Sequence, residues 1–196
     1  MQKAWLVFAT LSCLGVVLHA QAIPSEIGVR YSAQISNGPA GSCGCFTLQG
    51  AAADFNWNLP PKRAGAKPGP RLSLAFDAGM EHTGNMNGVG YGLTLSTFAA
   101  GPRLTLPVRR VRPFAQALFG MAHGANSEFP QSSTLSSSAN SFALDLGAGA
   151  DLPLNKHLAL RFLQLDYLRT ALPNNTTNWQ NNLRIGAGLT LYLSHQ

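Results

Sequence analysis

The sequence is poor in charge. Only 11% of its 196 residues are Asp, Glu, Lys or Arg, against about a quarter in ordinary soluble domains. A surface hydrated on all sides needs more ionic groups than that, so much of the exterior is expected to face something other than water. Long apolar runs are also missing. Past the first twenty residues no stretch reaches the eighteen or more apolar residues of a membrane-crossing helix, which excludes a helical membrane protein and leaves a barrel open. Helical periodicity is absent from the same region. Nucleophile-elbow strings and His-x-Ser arrangements are lacking, and no set of metal-ligand spacings occurs, so no cofactor is indicated. Cysteine is scarce: three in all, with Cys13 inside the leading apolar segment and only Cys43 and Cys45 beyond it.

That leading segment reads as a targeting signal. Lys3 gives a positive start, "AWLVFATLSCLGVVLHA" (4–20) an apolar core too short for a stable span, and "AQA" (20–22) a small-x-small cleavage site. Cleavage is expected after Ala22 or Ala20, so residues 1–22 form a signal peptide and 23–196 one mature domain. Cys13 lacks a lipoprotein context, since Thr10 rather than Leu lies three residues before it. The chain is basic, at +6, but export makes nucleic-acid binding an idle reading of that charge.

Alternation with a period of two replaces helical periodicity, as expected where side chains of a strand point to opposite faces. Eight stretches carry it: Glu26–Ser36, Cys43–Leu59, Arg71–Glu81, Tyr91–Leu106, Pro113–His123, Phe142–Leu152, His157–Arg169 and one centred on Leu183–Leu193. In "FALDLGAGADL" (142–152) the apolar places alternate with Asp145, Gly147, Gly149 and Asp151. Along the last stretch Leu183, Ile185, Leu189 and Leu191 alternate with Arg184, Gly186, Gly188 and Thr190. Two irregularities predict β-bulges. One is a switch of apolar parity near Ala99–Gly101; the other, near Phe162–Leu163, would bring Arg161, Gln164 and Asp166 to one face.

Eight strands close a small antiparallel barrel whose interior admits only side chains. The Leu, Ile and Phe rows fill one face for whole strands, while the other holds small and charged residues, Asp77, Asp145, Asp151 and Arg184 among them. Apolar rows outward against lipid, with charges of both signs paired inside, is the assignment expected. Loop lengths agree. "HTGNMNGVG", "GANSEFPQSSTLSSSAN" and "TALPNNTTNW" read as long outer loops, and "PVRRV" and "PLNK" as short inner turns with both termini periplasmic. "PPKRAGAKPGP" is an inner connection longer than that pattern asks for. Lys62, Arg63, Lys67, Arg109, Arg110, Arg112 and Lys156 collect at the inner turns as solvated charge.

"TFAAGPRLTL" (97–106), "RPFAQALFGMAHG" (112–124), "SFALDLGAGADLPLNKHLALRFLQLDYLRT" (141–170) and "NNLRIGAGLTLYL" (181–193) resemble the later strands of bacterial outer-membrane β-barrels of the OmpA-like transmembrane type. "GSCGCFTLQG" (41–50) resembles a second-strand motif of some of them. The resemblance implies an eight-stranded barrel in the outer membrane of a Gram-negative cell, inserted by the barrel-assembly machinery. It also implies contact with outer-membrane lipid and lipopolysaccharide. Two features depart from the family. The chain ends just after its eighth strand, so no peptidoglycan-binding domain is expected. Tyr192 is followed by Leu193 and "SHQ" where the assembly signal ends in an aromatic residue.

The expectation is a non-enzymatic, envelope-structural or loop-presenting protein with a lumen charge network of Asp145, Asp151, Arg161, Asp166 and Arg184. An enzyme acting on lipid or peptide at the outer rim, or a narrow channel, is the competing reading. His82, His123, Ser127 and Glu128 are the rim residues it would use. Cys43 and Cys45 are a candidate disulfide or a pair of free thiols, but two ligands two apart do not make a metal site.

Overall fold

The structure, a computed structural model, describes residues 25–37, 45–59, 69–86, 90–106, 108, 110–131, 134–174 and 177–193. The expected signal peptide, Cys43 and the inner-turn residues Lys62, Arg63, Lys67 and Arg109 lie outside them. Eight strands run in sequence: β1 (Ser25–Asn37), β2 (Cys45–Asn58), β3 (Arg71–Thr83), β4 (Leu93–Thr105), β5 (Arg112–Gln131), β6 (Thr134–Pro153), β7 (Leu158–Thr170) and β8 (Gln180–Tyr192). Each pairs antiparallel with its chain neighbours, and β1 with β8, so the sheet closes as a barrel.

Alternation decides which residues meet inside. Val29, Tyr31 and Ile35 are exposed on β1 while Arg30, Ser32, Gln34 and Ser36 are buried. On β8 Leu183, Ile185, Leu189 and Leu191 face out, and Arg184 and Thr190 face in. On β6 Phe142 and Leu146 are exposed, and Asp145 and Asp151 buried. Large apolar side chains therefore cover the outer wall and polar ones fill the lumen, the arrangement of a barrel surrounded by lipid. Strands of 13 residues exceed the about 9–11 that a tilted span needs, which leaves a rim at each end.

The end that carries Ser25 and Leu193, the proximal end, is tied by a hydrogen bond from the Leu193 N–H to the Ser25 carbonyl at 2.9 Å. Two of its turns are tight. Val108 and Val111 exchange backbone hydrogen bonds of 3.0 and 2.9 Å, and the Asn155 carboxamide oxygen accepts the N–H groups of His157 and Leu158 at 2.8 and 2.9 Å.

Three expectations meet the strands directly. The bulge at Phe162–Leu163 is present: pairing with β8 shifts between Arg161 and Gln164, both bulge residues face out, and Arg161, Gln164 and Asp166 are all buried. The bulge expected near Ala99–Gly101 is absent. β3 and β4 stay in one register from Arg71↔Thr105 to Thr83↔Leu93. The apolar parity changes because the lumen changes: Leu93 and Leu95 point inward into an apolar cluster of Phe46, Leu48, Ala122, Phe129, Ala139, Ala143, Leu168 and Leu172 at the distal end. Finally, "GANSEFPQSSTLSSSAN" is not a loop. β5 and β6 run 20 residues each through it and pair as far as Gln131↔Thr134. Its small polar residues carry no clear period; backbone pairing builds the hairpin, and Phe129 and Ala139 anchor its base in the apolar cluster.

Candidate functional site

Below the apolar cluster the lumen is ionic. On β2, Asp54 is a hub. It accepts hydrogen bonds from Arg161, from Arg103 at 3.1 Å and from Arg30 at 3.5 Å. Arg30, reaching from β1, forks onto Asp77 at 2.6 and 3.1 Å. Arg161, held inward by the β7 bulge, takes Asp151 with a second fork at 2.8 and 3.2 Å, and donates to Gln164 and Thr190 at 3.1 Å each. Arg184 donates to Asp145 and to Asp166 at 3.3 Å, and lies 3.5 Å from both Asp77 and Glu81.

Neutral groups join these pairs into one network. Gln164 donates to both Asp166 oxygens at 2.9 and 3.0 Å. The Gln116 carboxamide oxygen accepts from Arg103 Nε and Nη2 at 2.9 and 2.6 Å. Phe114 takes the Arg103 and Arg161 guanidiniums over its ring at 4.3 and 4.8 Å from the centroid. Charge in a poorly hydrated interior is tolerable only when paired and hydrogen-bonded. Nearly all of these side chains satisfy that condition.

Close packing of the network sets the glycine positions. A Cβ on Gly147 would stand 2.1 Å from Asp166 Oδ1, and one on Gly188 2.0 Å from the Val29 carbonyl and 2.6 Å from the Arg30 Cα. Gly149 makes room for Phe114 rather than for an arginine.

The five lumen residues read from the sequence thus fall in two groups, Asp145–Arg184–Asp166 and Asp151–Arg161, linked through Gln164. Sequence reasoning missed Arg30, Asp54, Arg103 and Gln116. Their signal was inward parity on β1, β2, β4 and β5, the same alternation that found the others. The rim candidates do not converge. His82 bonds Thr94 through Nδ1 at 3.0 Å and His123 bonds Asn140 at 2.7 Å, both on the exposed side, whereas Ser127 is buried. Cys45 is exposed at the start of β2, and its pairing with Cys43 lies outside the described residues. Among the described residues no cluster of three or more metal-ligating side chains occurs.

The geometry can now be set beside known proteins. No protein-family model and no curated protein matches the chain. Solved structures do. The fold is that of bacterial outer-membrane eight-stranded barrels. Neisserial surface protein A is similar over 85% of this chain and 96% of its own, at 13% identity and a TM-score of 0.63. The attachment invasion locus protein Ail of Yersinia pestis is similar over 87% of this chain and 98% of its own, at 13% identity and a TM-score of 0.57. A second Ail structure, in complex with the heparin analogue sucrose octasulfate, gives 12% identity and a TM-score of 0.53 over the same shares. At these identities the likeness is one of fold.

Proposed function

We propose that this chain is a non-enzymatic barrel of the bacterial outer membrane that displays the β5–β6 hairpin at the cell surface. Residues 1–22 direct its export, and the proximal end with both termini faces the periplasm. Insertion falls to the barrel-assembly machinery, and the exposed apolar wall meets outer-membrane lipid. Lipopolysaccharide surrounds the distal rim, where Arg169 stacks over Trp179 at 4.0 Å.

The observation that carries this reading is the contrast between a filled lumen and a projecting hairpin. Pairing of β4 with β5 stops at Ala125 and pairing of β6 with β7 at Ala143, yet β5 and β6 remain zipped to Gln131↔Thr134. Apart from Phe129 and Ala139, which reach back into the apolar cluster, this extension makes no strand pair with the barrel wall among the described residues, and loops and extensions on a rigid scaffold are where binding concentrates. The names of two neighbours, a surface protein and an attachment invasion locus protein, point in the same direction. An epitope tag placed between β5 and β6 should bind antibody on intact cells. A tag reached only after the outer membrane is broken would refute the reading.

A further inference from the structure

We propose that the free edge of β6 around Ser138 takes an extended segment of a soluble extracellular polypeptide as an added strand. The inference rests on the surface placement of the hairpin and names what the hairpin holds. Beyond Ala125 and Ala143 both outer edges of the hairpin lack a paired strand among the described residues. An unpaired edge is a template for strand addition unless something blunts it.

The two edges differ in this respect. That of β5 is blunted by a register shift between Ala125 and Phe129, by Asn126 at φ 58°, by the charge of Glu128, and by Pro130, which has no N–H to offer. Along β6 the stretch "LSSSANS" (135–141) has no proline, glycine or charge. Its pairing residues on β6 skip a single position, Ser137, where β5 inserts residues 126–128, so most of the shift falls on β5.

Ser138 shows which way the edge points. Its N–H donates to the Ser136 hydroxyl oxygen at 3.3 Å, and its carbonyl accepts from that same hydroxyl at 2.8 Å. Both main-chain groups are thus turned away from β5 and covered by a side chain of their own strand, a local substitute for a neighbouring ladder. Main-chain direction alternates along a strand, so Ser136 and Asn140 present the same side. The chain that would have continued β7 leaves this position. After Thr170 the Ala171 N–H donates to Ser141 Oγ at 3.2 Å, and Leu172 turns into the apolar cluster with Phe46 and Phe129.

A second copy is the poorer occupant. Two barrels in one membrane share an orientation, so a two-fold axis along the membrane normal would set their β6 edges parallel, the slightly weaker pairing. The β5 edge of a second copy is blunted. A soluble segment can approach antiparallel, and an uncharged edge recognises it by main-chain hydrogen bonds rather than by charge.

The full barrel in lipid nanodiscs tests this, with a soluble eight-residue peptide of alternating Thr and Val as probe. The peptide is expected to slow amide hydrogen exchange at Ser138 and Asn140, and its fully N-methylated form to do nothing. Ser138→Pro removes the edge N–H without breaking a bond to β5, and should weaken binding by about tenfold or more with the thermal midpoint unchanged. Ser136→Ala uncovers the Ser138 main chain and should strengthen binding, a sign that a merely structural serine would not give. No protection at millimolar peptide would overturn the inference, as would binding indifferent to both substitutions, or a Ser138-dependent species that proves to be a barrel dimer. An antibody-accessible hairpin tag in those cases leaves surface display standing, whereas an inaccessible tag removes it.

Discussion

Arg184 faces four carboxylates, those of Asp77, Glu81, Asp145 and Asp166, and that ratio decides what each substitution does. The ionic part of the lumen holds Arg30, Arg103, Arg161 and Arg184 against Asp54, Asp77, Glu81, Asp145, Asp151 and Asp166, so carboxylates outnumber guanidiniums. Removing a cation enlarges the surplus; neutralising an acid shrinks it. Arg184→Ala should therefore cost about 3–5 kcal/mol, the range for leaving buried charge uncompensated. Glu81→Gln is expected to stay within about 1 kcal/mol of wild type or to stabilise. Its Oε2 has no hydrogen-bond partner among the described residues, and a carboxamide oxygen can keep the 2.7 Å bond from the Ser32 hydroxyl. Urea unfolding of the barrel in detergent measures both. Equal losses would show that the surplus does not govern stability.

At the scale of the strand, what was legible depended on whether one periodicity ran the length of the element. β8 keeps a single parity throughout, and its inward and outward rows read correctly. On β7 two successive outward residues broke the alternation, and the charged residues either side made sense only with a bulge between them. The same logic failed on β4. A switch from inward to outward leucines looks the same in sequence whether the strand bulges or the lumen changes from apolar to ionic, and here the lumen changes. The ionic site was half legible for a related reason. Arg161 and Asp54 are 107 residues apart, and only closure of β1 on β8 makes them neighbours. The β7 bulge carries its own prediction. Deleting both Phe162 and Leu163 sets Arg161 directly before Gln164, so in an unbroken strand either Arg161 or the pair Gln164 and Asp166 must turn toward lipid. A buried charge on the lipid face costs about 2–4 kcal/mol for arginine at mid-membrane, in addition to the broken pairs. The deletion should fail to give a folded barrel, whereas Leu163→Ala, which keeps the register, should fold. A folded, heat-resistant deletion variant would show that the bulge does not set the inward row.

For the whole molecule, the lumen is closed twice by different physics. Its proximal part is spanned by ion pairs from seven strands, and its distal part by the apolar cluster around Leu48, Leu95, Phe129 and Leu168. Ions cannot pass the second without dehydration, nor the first without displacing a guanidinium from its carboxylates. Eight strands leave no annulus around either plug. Electrolyte therefore reaches few of these charges. Salt screens exposed pairs over about 8 Å at physiological ionic strength but acts much less on buried ones, and the Arg30, Asp54, Arg161 and Arg184 side chains are all at most 1% exposed. The unfolding midpoint of the barrel should accordingly be nearly the same at about 0.05 M and about 1 M salt. Planar-bilayer recording in the concentrated salt should show no steady unitary conductance. These two measurements fail together or not at all if the closure is as described. A wet lumen would both conduct and lose stability as salt rises, and that paired outcome would show the charge network to be a lined path rather than a plug.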